Sequence, residues 1–365
     1  MKYIIQKDNN TPAYLQLYKQ VRDDIVKEIY PYNSKLPSKR IIADELGVST
    51  VTVEHAYALL CDEGYIESRE RSGYFVIFRT DDGFVASSNK TAARTLLAPH
   101  HSGTSAEFPF SVLTKTMRSV MSDFGENILD KSPNSGCVQL REAIKHYLAR
   151  SRGITADTEQ IIIGSGSEYL YSLIVELLGR NRMYAMEFPS YKMIEQVYLA
   201  SDVQYQMLPL GSDGIESSAL WASCADILHI SPYRSFPSGV TATASKRHEY
   251  MRWASKGNRY IVEDDFESEF SISKKSEETI FSHTSDDNVI YMNTFSKTIS
   301  PSLRVGYMVL PKHLVSVFEQ KLGFYSCTVP TFVQFVLAEL ISNGDFERHI
   351  NRVRRKKRKE LVSEK

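Results

Sequence analysis

The sequence has few cysteines, no excess charge of either sign and no long apolar run. Its four cysteines, Cys61, Cys137, Cys224 and Cys327, show no CxxC or Cys/His spacing, which excludes a readable disulfide framework or metal site. The 44 Lys+Arg balance the 44 Asp+Glu, so overall charge gives no sign of a polyanionic partner. No run approaches the roughly 20 apolar residues of a bilayer span. The first ten residues carry charges where a signal peptide has its apolar core. We therefore expect a cytoplasmic protein with no membrane contact.

The length favours two domains. At roughly 150 residues per domain, 365 residues exceed a single small module. Hydrophobic residues make up 42% of the chain, which is typical of a globular protein with a sizeable core and excludes a disordered chain.

Residues 1–78 contain three short helical patterns. Apolar residues recur at spacings of three and four in a first helix that ends before Pro31. Ser38 is suited to cap a second helix, Gly47 to end it and Ser49 to cap a third. Two helices separated by so short a turn predict a helix-turn-helix.

A hairpin follows the third helix. Residues 65–68 and 74–78 are typical of strands, and the charged tip 69–73 contains Gly73. The pattern therefore predicts a winged helix-turn-helix for 1–78, although a small helical domain for protein contact has the same pattern. Residues 1–76 hold ten basic and eleven acidic side chains, so DNA affinity requires a local patch. The candidate cations are Lys39, Arg40, Arg69 and Arg71.

The run KLPSKRIIADELGVSTVTVEHAYALL, with the segments on either side of it, resembles the winged-helix domain of the GntR family of bacterial transcription regulators. The resemblance covers nearly all of 11–78 and implies binding to double-stranded DNA. Thr50 stands where the family often has Arg, so one strong base contact is absent. The DNA contacts that the resemblance implies are Ser38, Arg40, Ser49, Thr50, Thr52 and Gly73.

The rest of the chain has a different pattern. Residues 79–105 are polar with little periodicity and predict a linker. From 106 to 365, strand patterns alternate with helical ones, which predicts an α/β fold around a largely parallel sheet. Sites in such folds gather at the carboxyl ends of the strands.

Four of these strand ends carry chemically suggestive residues, each with an ordinary alternative. The turn GSGSE at 164–168 can hold a phosphate or be only a tight turn. Asp264 can pair with a protonated ring nitrogen or cap the next segment. Lys297 can attack an aldehyde or be a solvated lysine, and Arg304 can bind a phosphate or form a surface ion pair. Together they are the groups that pyridoxal 5'-phosphate (PLP) requires.

The run NTFSKTISPSLRVGYMVLP resembles the cofactor-lysine segment of fold-type I aminotransferases. With the first domain, the chain resembles the MocR subfamily of GntR regulators, whose effector domain is an aminotransferase relative. The resemblance implies Lys297 as the Schiff-base lysine and Asp264 on the pyridine nitrogen. Tyr191 would stack on the cofactor ring, or it packs in the core. The implied phosphate ligands are Ser165, Gly166, Ser167, Thr294 and Arg304.

Several residues depart from that resemblance. Phe266 stands where a Tyr usually contacts the cofactor phenolate, Lys131 lies where an aromatic is common, and Arg234 replaces a frequent His. The chain stops at Lys365, and related proteins continue into a small subdomain with a substrate-binding arginine, so we expect an aminotransferase-like domain that is incomplete at its carboxyl end. The basic run before that end is a solvated helix face or a second DNA contact.

The leading hypothesis is a DNA-binding regulator, a homodimer, that senses PLP and an amino compound through an aminotransferase-like domain. Catalysis is not expected. The alternatives are a working PLP-dependent aminotransferase with an attached DNA-binding domain, and a regulator that binds DNA without a cofactor.

Overall fold

The structure, a computed structural model, describes residues 3–6, 11–70, 72–79, 108–265, 268–271, 279–284 and 287–363. Residues 361–363 are described by their backbone alone. Phe266, Arg71 and residues 80–105 of the predicted linker lie outside the described residues. The chain divides into two compact units, Met1–His100 and His101–Lys365. The predicted domain limits of 1–78 and 106–365 stay predictions.

The first unit contains three helices and a two-stranded hairpin. The helices are α1 (Ala13–Val26), α2 (Lys39–Leu46) and α3 (Thr50–Asp62), and the antiparallel strands are β1 (Ile66–Arg69) and β2 (Gly73–Val76). The strands pair as far as Arg69 opposite Gly73, one residue nearer the tip than predicted.

Capping residues set the limits of the helix-turn-helix. The Ser38 side chain accepts a hydrogen bond from the Ile41 N–H, and Ser49 accepts one from the Thr52 N–H at 3.1 Å. Gly47 has a φ of +63° and ends α2 in the left-handed conformation. These three predicted caps are confirmed, because each supplies a hydrogen bond or backbone conformation that the helix end requires.

The second unit contains the larger sheet. Its strands are β3 (Ile161–Gly164), β4 (Met183–Phe188), β5 (Gln204–Gly211), β6 (Gly214–Ile215), β7 (Ile227–Ile230), β8 (Tyr260–Asp264), β9 (Val289–Thr294) and β10 (Gly306–Val309). Its helices are α4 (Phe110–Phe124), α5 (Val138–Ser151), α6 (Ser167–Leu178), α7 (Lys192–Ala200), α8 (Ser217–Ala222), α9 (Ala244–Ala254), α10 (Ile280–His283), α11 (Lys312–Leu322), α12 (Thr331–Ser342) and α13 (Asp345–Ser363). No helix in the described part of the chain is both long enough and apolar enough to cross a membrane.

The eight strands form one sheet in the order β3-β10-β9-β8-β7-β4-β5-β6. The pairs among β5, β4, β7, β8 and β9 are parallel, whereas β10 is antiparallel to β9 and β3, and β6 is antiparallel to β5. The prediction of a largely parallel sheet is confirmed.

Helices cover both faces of this sheet. Side chains of successive strand residues enter opposite cores, as in β10, where Met308 packs with one cluster and Tyr307 and Val309 with another. The strands are therefore buried on both faces, as the α/β pattern predicts.

The direction of the strands brings the candidate residues together. Strands β3, β4, β7, β8 and β9 all end at the same edge of the sheet, and β10 begins there, with Gly306 opposite both Gly164 and Thr294. Residues that follow the parallel strands and residues that precede β10 therefore meet at this edge.

Candidate functional site

A cavity of about 290 Å³ lies at this edge of the sheet. Its volume is near the lower end of the range of small-molecule sites. Six of the predicted cofactor residues line it, namely Ser167, Tyr191, Asp264, Thr294, Lys297 and Arg304. The other two, Ser165 and Gly166, lie in the turn directly before Ser167. The structure thus places residues from four separate strand ends around one space.

The turn between β3 and α6 requires glycine at its centre. Gly166 has a φ of +95°, which L side chains rarely adopt. A Cβ atom at this position would lie 3.2 Å from the Arg304 guanidinium. Among the described residues, no side chain caps α6, so the first N–H groups of that helix remain for another acceptor. With the helix dipole, they form a site suited to a phosphate.

Asp264 is the last residue of β8 and is almost fully buried. One of its oxygens, Oδ2, accepts a hydrogen bond from the Tyr171 hydroxyl and lies 3.7 Å from His229 Nε2. The other oxygen, Oδ1, has no hydrogen-bond partner among the described residues. Because burying a carboxylate oxygen without a donor is unfavourable, this atom fits a ligand that brings an N–H group into the cavity.

Tyr171, Tyr198 and His229 surround the Asp264 carboxylate within the core. The Tyr198 hydroxyl is hydrogen-bonded to His229 Nδ1 at 2.7 Å, and the His229 ring meets the Tyr171 ring edge-on at 4.9 Å. Burial, together with the Asp264 carboxylate, raises the pKa of Tyr171 well above its ordinary value. Tyr171 therefore stays protonated and donates a hydrogen bond to Oδ2, which leaves Oδ1 without a donor among the described residues.

Lys297 and Thr294 come from the end of β9. Thr294 is the last residue of the strand and is buried. Lys297 follows three residues later and lines the same cavity as Asp264. An amine and a buried carboxylate on one cavity are the two groups that an aldehyde-bearing pyridine ring requires.

Arg304 forms an ion pair with Glu168, a pairing that the sequence did not indicate. Its Nη2 atom lies 2.9 Å from Glu168 Oε2, and the Arg304 side chain is 56% exposed. The alternative predicted for Arg304, an ion pair, is therefore present, and it lies beside the turn at Gly166.

Tyr191 and Phe236 form an aromatic wall of the cavity. Their rings meet edge-on with centroids 6.1 Å apart, and Tyr191 is 37% exposed, so it is not a core residue. Glu187 of β4, which precedes the loop that carries Tyr191, accepts a hydrogen bond at 2.6 Å from the hydroxyl of Ser235, the residue before Phe236. Burial raises the pKa of Glu187 to about 7. No sequence pattern had predicted Phe236 as a site residue.

The predicted DNA contacts lie on the surface of the first unit. Ser38, Arg40, Ser49 and Thr50 are exposed, whereas Thr52 and Gly73 are half-buried. The Ser49 and Thr52 hydroxyls are hydrogen-bonded to each other at 2.9 Å. Helix α3 buries Val53, Ala56, Tyr57 and Leu60 on its opposite face.

The basic residues of this unit differ in their partners. Lys39 Nζ lies 2.7 Å from Glu54 Oε1, and Arg69 Nε lies 2.6 Å from Glu67 Oε1. Within the described ranges of the first unit, Arg40 has neither an ion pair nor a side-chain hydrogen bond. Its charge is therefore available to a phosphate group.

Comparisons with known proteins agree with this arrangement. Residues 13–76 match the family of bacterial regulatory proteins named gntR, and residues 105–364 match the class I and II aminotransferases. The HTH-type transcriptional regulator YdeL of Bacillus subtilis is 32% identical over 357 residues, which are 95% of this chain and 77% of YdeL. The chain belongs to the GntR family. Its pair of domains is that of the MocR subfamily.

Two further regulators match over nearly the whole of this chain. The probable rhizopine catabolism regulatory protein MocR of Rhizobium meliloti is 27% identical, with 96% of this chain and 76% of MocR covered. The pyridoxine biosynthesis regulator PdxR of Corynebacterium glutamicum is 25% identical, with 93% and 75% covered. The prediction of a GntR-family helix-turn-helix regulator with an aminotransferase-like domain is confirmed.

Solved structures show the fold of the second domain of this GntR-family protein. A kynurenine aminotransferase of Pyrococcus horikoshii, solved with PMP, matches with a TM-score of 0.62 and 26% identity over 68% of this chain and 64% of that chain. The LysN aminotransferase of Thermus thermophilus matches with a TM-score of 0.60 and 24% identity over 68% and 64%. The predicted fold-type I aminotransferase domain is confirmed.

Proposed function

We propose that this GntR-family regulator binds PLP in the cavity of its second domain and that occupancy of the cavity alters DNA binding by the first. The observation that carries the proposal is Asp264, which lines one cavity together with Lys297 and whose buried Oδ1 has no donor among the described residues. When bound, PLP supplies an electrophilic aldehyde and an electron-withdrawing pyridine ring.

Each residue of the cavity has a distinct task in that proposal. Asp264 Oδ1 would accept a hydrogen bond from the protonated ring nitrogen, while the Tyr171 hydroxyl donates one to Oδ2. Lys297, which lines the same cavity, would supply the amine that holds the aldehyde end of PLP. Tyr191 covers the ring. The phosphate is held by the first N–H groups of α6 and by Ser165, Gly166, Ser167, Thr294 and Arg304.

Regulation requires that the ligand distinguish two states of the protein. We propose that PLP, alone or condensed with an amino compound, favours one arrangement of the two domains over another. We also propose a homodimer that acts in the cytoplasm, because one short recognition helix reads few base pairs and a two-fold pair reads two half-sites.

Titration of the full-length protein with PLP tests cofactor binding. We expect a saturable visible absorption band with one PLP bound per chain, because Lys297 is the proposed attachment point. Equilibrium dialysis gives the stoichiometry independently. A spectrum that equals the sum of protein and free PLP at every concentration would contradict the proposal.

A further inference from the structure

The phosphate end of the cavity contains an acidic side chain that the proposed function does not use. Glu168 is the second residue of α6 and lines the cavity. Its Oε2 atom lies 2.9 Å from Arg304 Nη2, and the Glu168 side chain is 25% exposed. A carboxylate therefore contacts the guanidinium that we assign to the phosphate.

The carboxylate, the guanidinium and the glycine turn lie within one small space. A Cβ atom built on Gly166 lies 3.2 Å from Arg304 Nη2 and 3.5 Å from Glu168 Oε2. The Glu168 carboxylate also contributes to the raised pKa of Tyr191, after the larger effect of burial. Glu168 is thus close to the helix N-terminus, to Arg304 and to the aromatic wall at the same time.

The acidic and basic side chains that line the cavity are equal in number among the described residues. Among the described residues, its lining has four ionisable side chains, the acidic Glu168 and Asp264 and the basic Lys297 and Arg304. A phosphate monoester carries a charge of roughly −1.5 to −2 at pH 7. It must therefore compete with Glu168 for Arg304 and is repelled by the same carboxylate, because like charges a few ångströms apart disfavour each other.

We propose that Glu168 occupies the phosphate-binding arginine and thereby lowers the affinity of the cavity for phosphorylated ligands relative to unphosphorylated ones. The inference rests on the proposed function, since it concerns how the same cavity selects its ligand. PLP must displace Glu168 from Arg304 in order to bind. The cavity then fills only when PLP is abundant, which suits a sensor better than a permanently bound cofactor does.

The test measures PLP and pyridoxal binding to the full-length protein and its Glu168→Gln variant by equilibrium dialysis at fixed salt. Pyridoxal has the same ring and aldehyde without the phosphate. We expect Glu168→Gln to tighten PLP binding about tenfold and to change pyridoxal binding less than twofold. If the ion pair between Glu168 and Arg304 contributes as little as many exposed ion pairs do, Glu168→Gln leaves the affinity for PLP unchanged.

Glu176→Gln is the matched control. Glu176 lies on the same helix and pairs with Arg180, so this variant also removes one carboxylate and one ion pair of α6, but away from the cavity lining. We expect it to change neither binding constant. Glu168→Ala provides a second variant without the carboxylate, in case Glu168→Gln does not fold as judged by circular dichroism.

The outcomes separate the two proposals. If neither PLP nor pyridoxal binds to any variant, the proposed function is overturned. If PLP binds equally to the parent, Glu168→Gln and Glu168→Ala, only the role of Glu168 is overturned. Equal tightening of PLP and pyridoxal would overturn discrimination at the phosphate, and weaker PLP binding would show that Glu168 positions Arg304 for the ligand.

Discussion

Lys297→Ala is expected to abolish the visible absorption band that PLP gives with the parent protein. The amine of Lys297 is the only covalent attachment point that we assign, and alanine has no nucleophile. The contacts assigned to Asp264, Ser167 and Arg304 remain, so weak PLP binding without the band is the expected residual behaviour. The measurement is a PLP titration followed by visible absorption and by equilibrium dialysis.

Lys312→Ala is the control for loss of a lysine. Lys312 lies on the surface at the start of α11 and pairs with Asp157, so we expect the band of this variant to equal that of the parent. A band that persists in Lys297→Ala would place the attachment on another residue and would contradict the assignment of the cavity.

Arg40→Ala is expected to weaken binding to duplex DNA by about 1–3 kcal/mol, or roughly 5- to 150-fold. Arg40 is exposed near the start of α2, and within the described first unit no acidic side chain pairs with it. The charges of Lys39 and Arg69 are partly neutralised by Glu54 and Glu67. Of Lys39, Arg40 and Arg69, Arg40 is therefore the one whose loss removes the most phosphate attraction.

Arg22→Ala is the charge-matched control. Arg22 lies on α1, where its guanidinium is 2.8 Å from Asp23 Oδ1. Both variants are compared with the parent in a mobility-shift titration at one salt concentration, because DNA affinity depends steeply on salt. Unchanged affinity in Arg40→Ala, or an equal loss in Arg22→Ala, would remove Arg40 from the DNA contacts.

Much of this fold could be predicted because its signals are local. Ser38 and Ser49 cap helices through their own side chains, and Gly47 ends a helix through its own backbone. The residues at and just after the ends of β8 and β9 could be assigned to one site because parallel strands end at the same edge of a sheet. The direction of β10 explains why Arg304, which precedes a strand, joins residues that follow strands.

Other parts of the site depend on contacts between distant segments. Tyr171 contacts Asp264 across 93 residues of sequence, and no local pattern pairs them. A weaker signal was present, because Tyr171 lies four residues after Ser167 and thus on the same helix face. The pairing of Glu168 with Arg304 was not predictable, since either side chain alone is typical of a solvated surface.

The central claim is that occupancy of the cavity changes DNA binding, and a DNA titration with and without PLP tests it directly. The probe is a duplex selected from a random-sequence library by the full-length protein. At saturating PLP, confirmed by the visible band, we predict that the dissociation constant for this duplex changes by about fivefold or more, whereas that of Lys297→Ala changes much less. An unchanged dissociation constant in the parent protein, with PLP bound, would contradict the account.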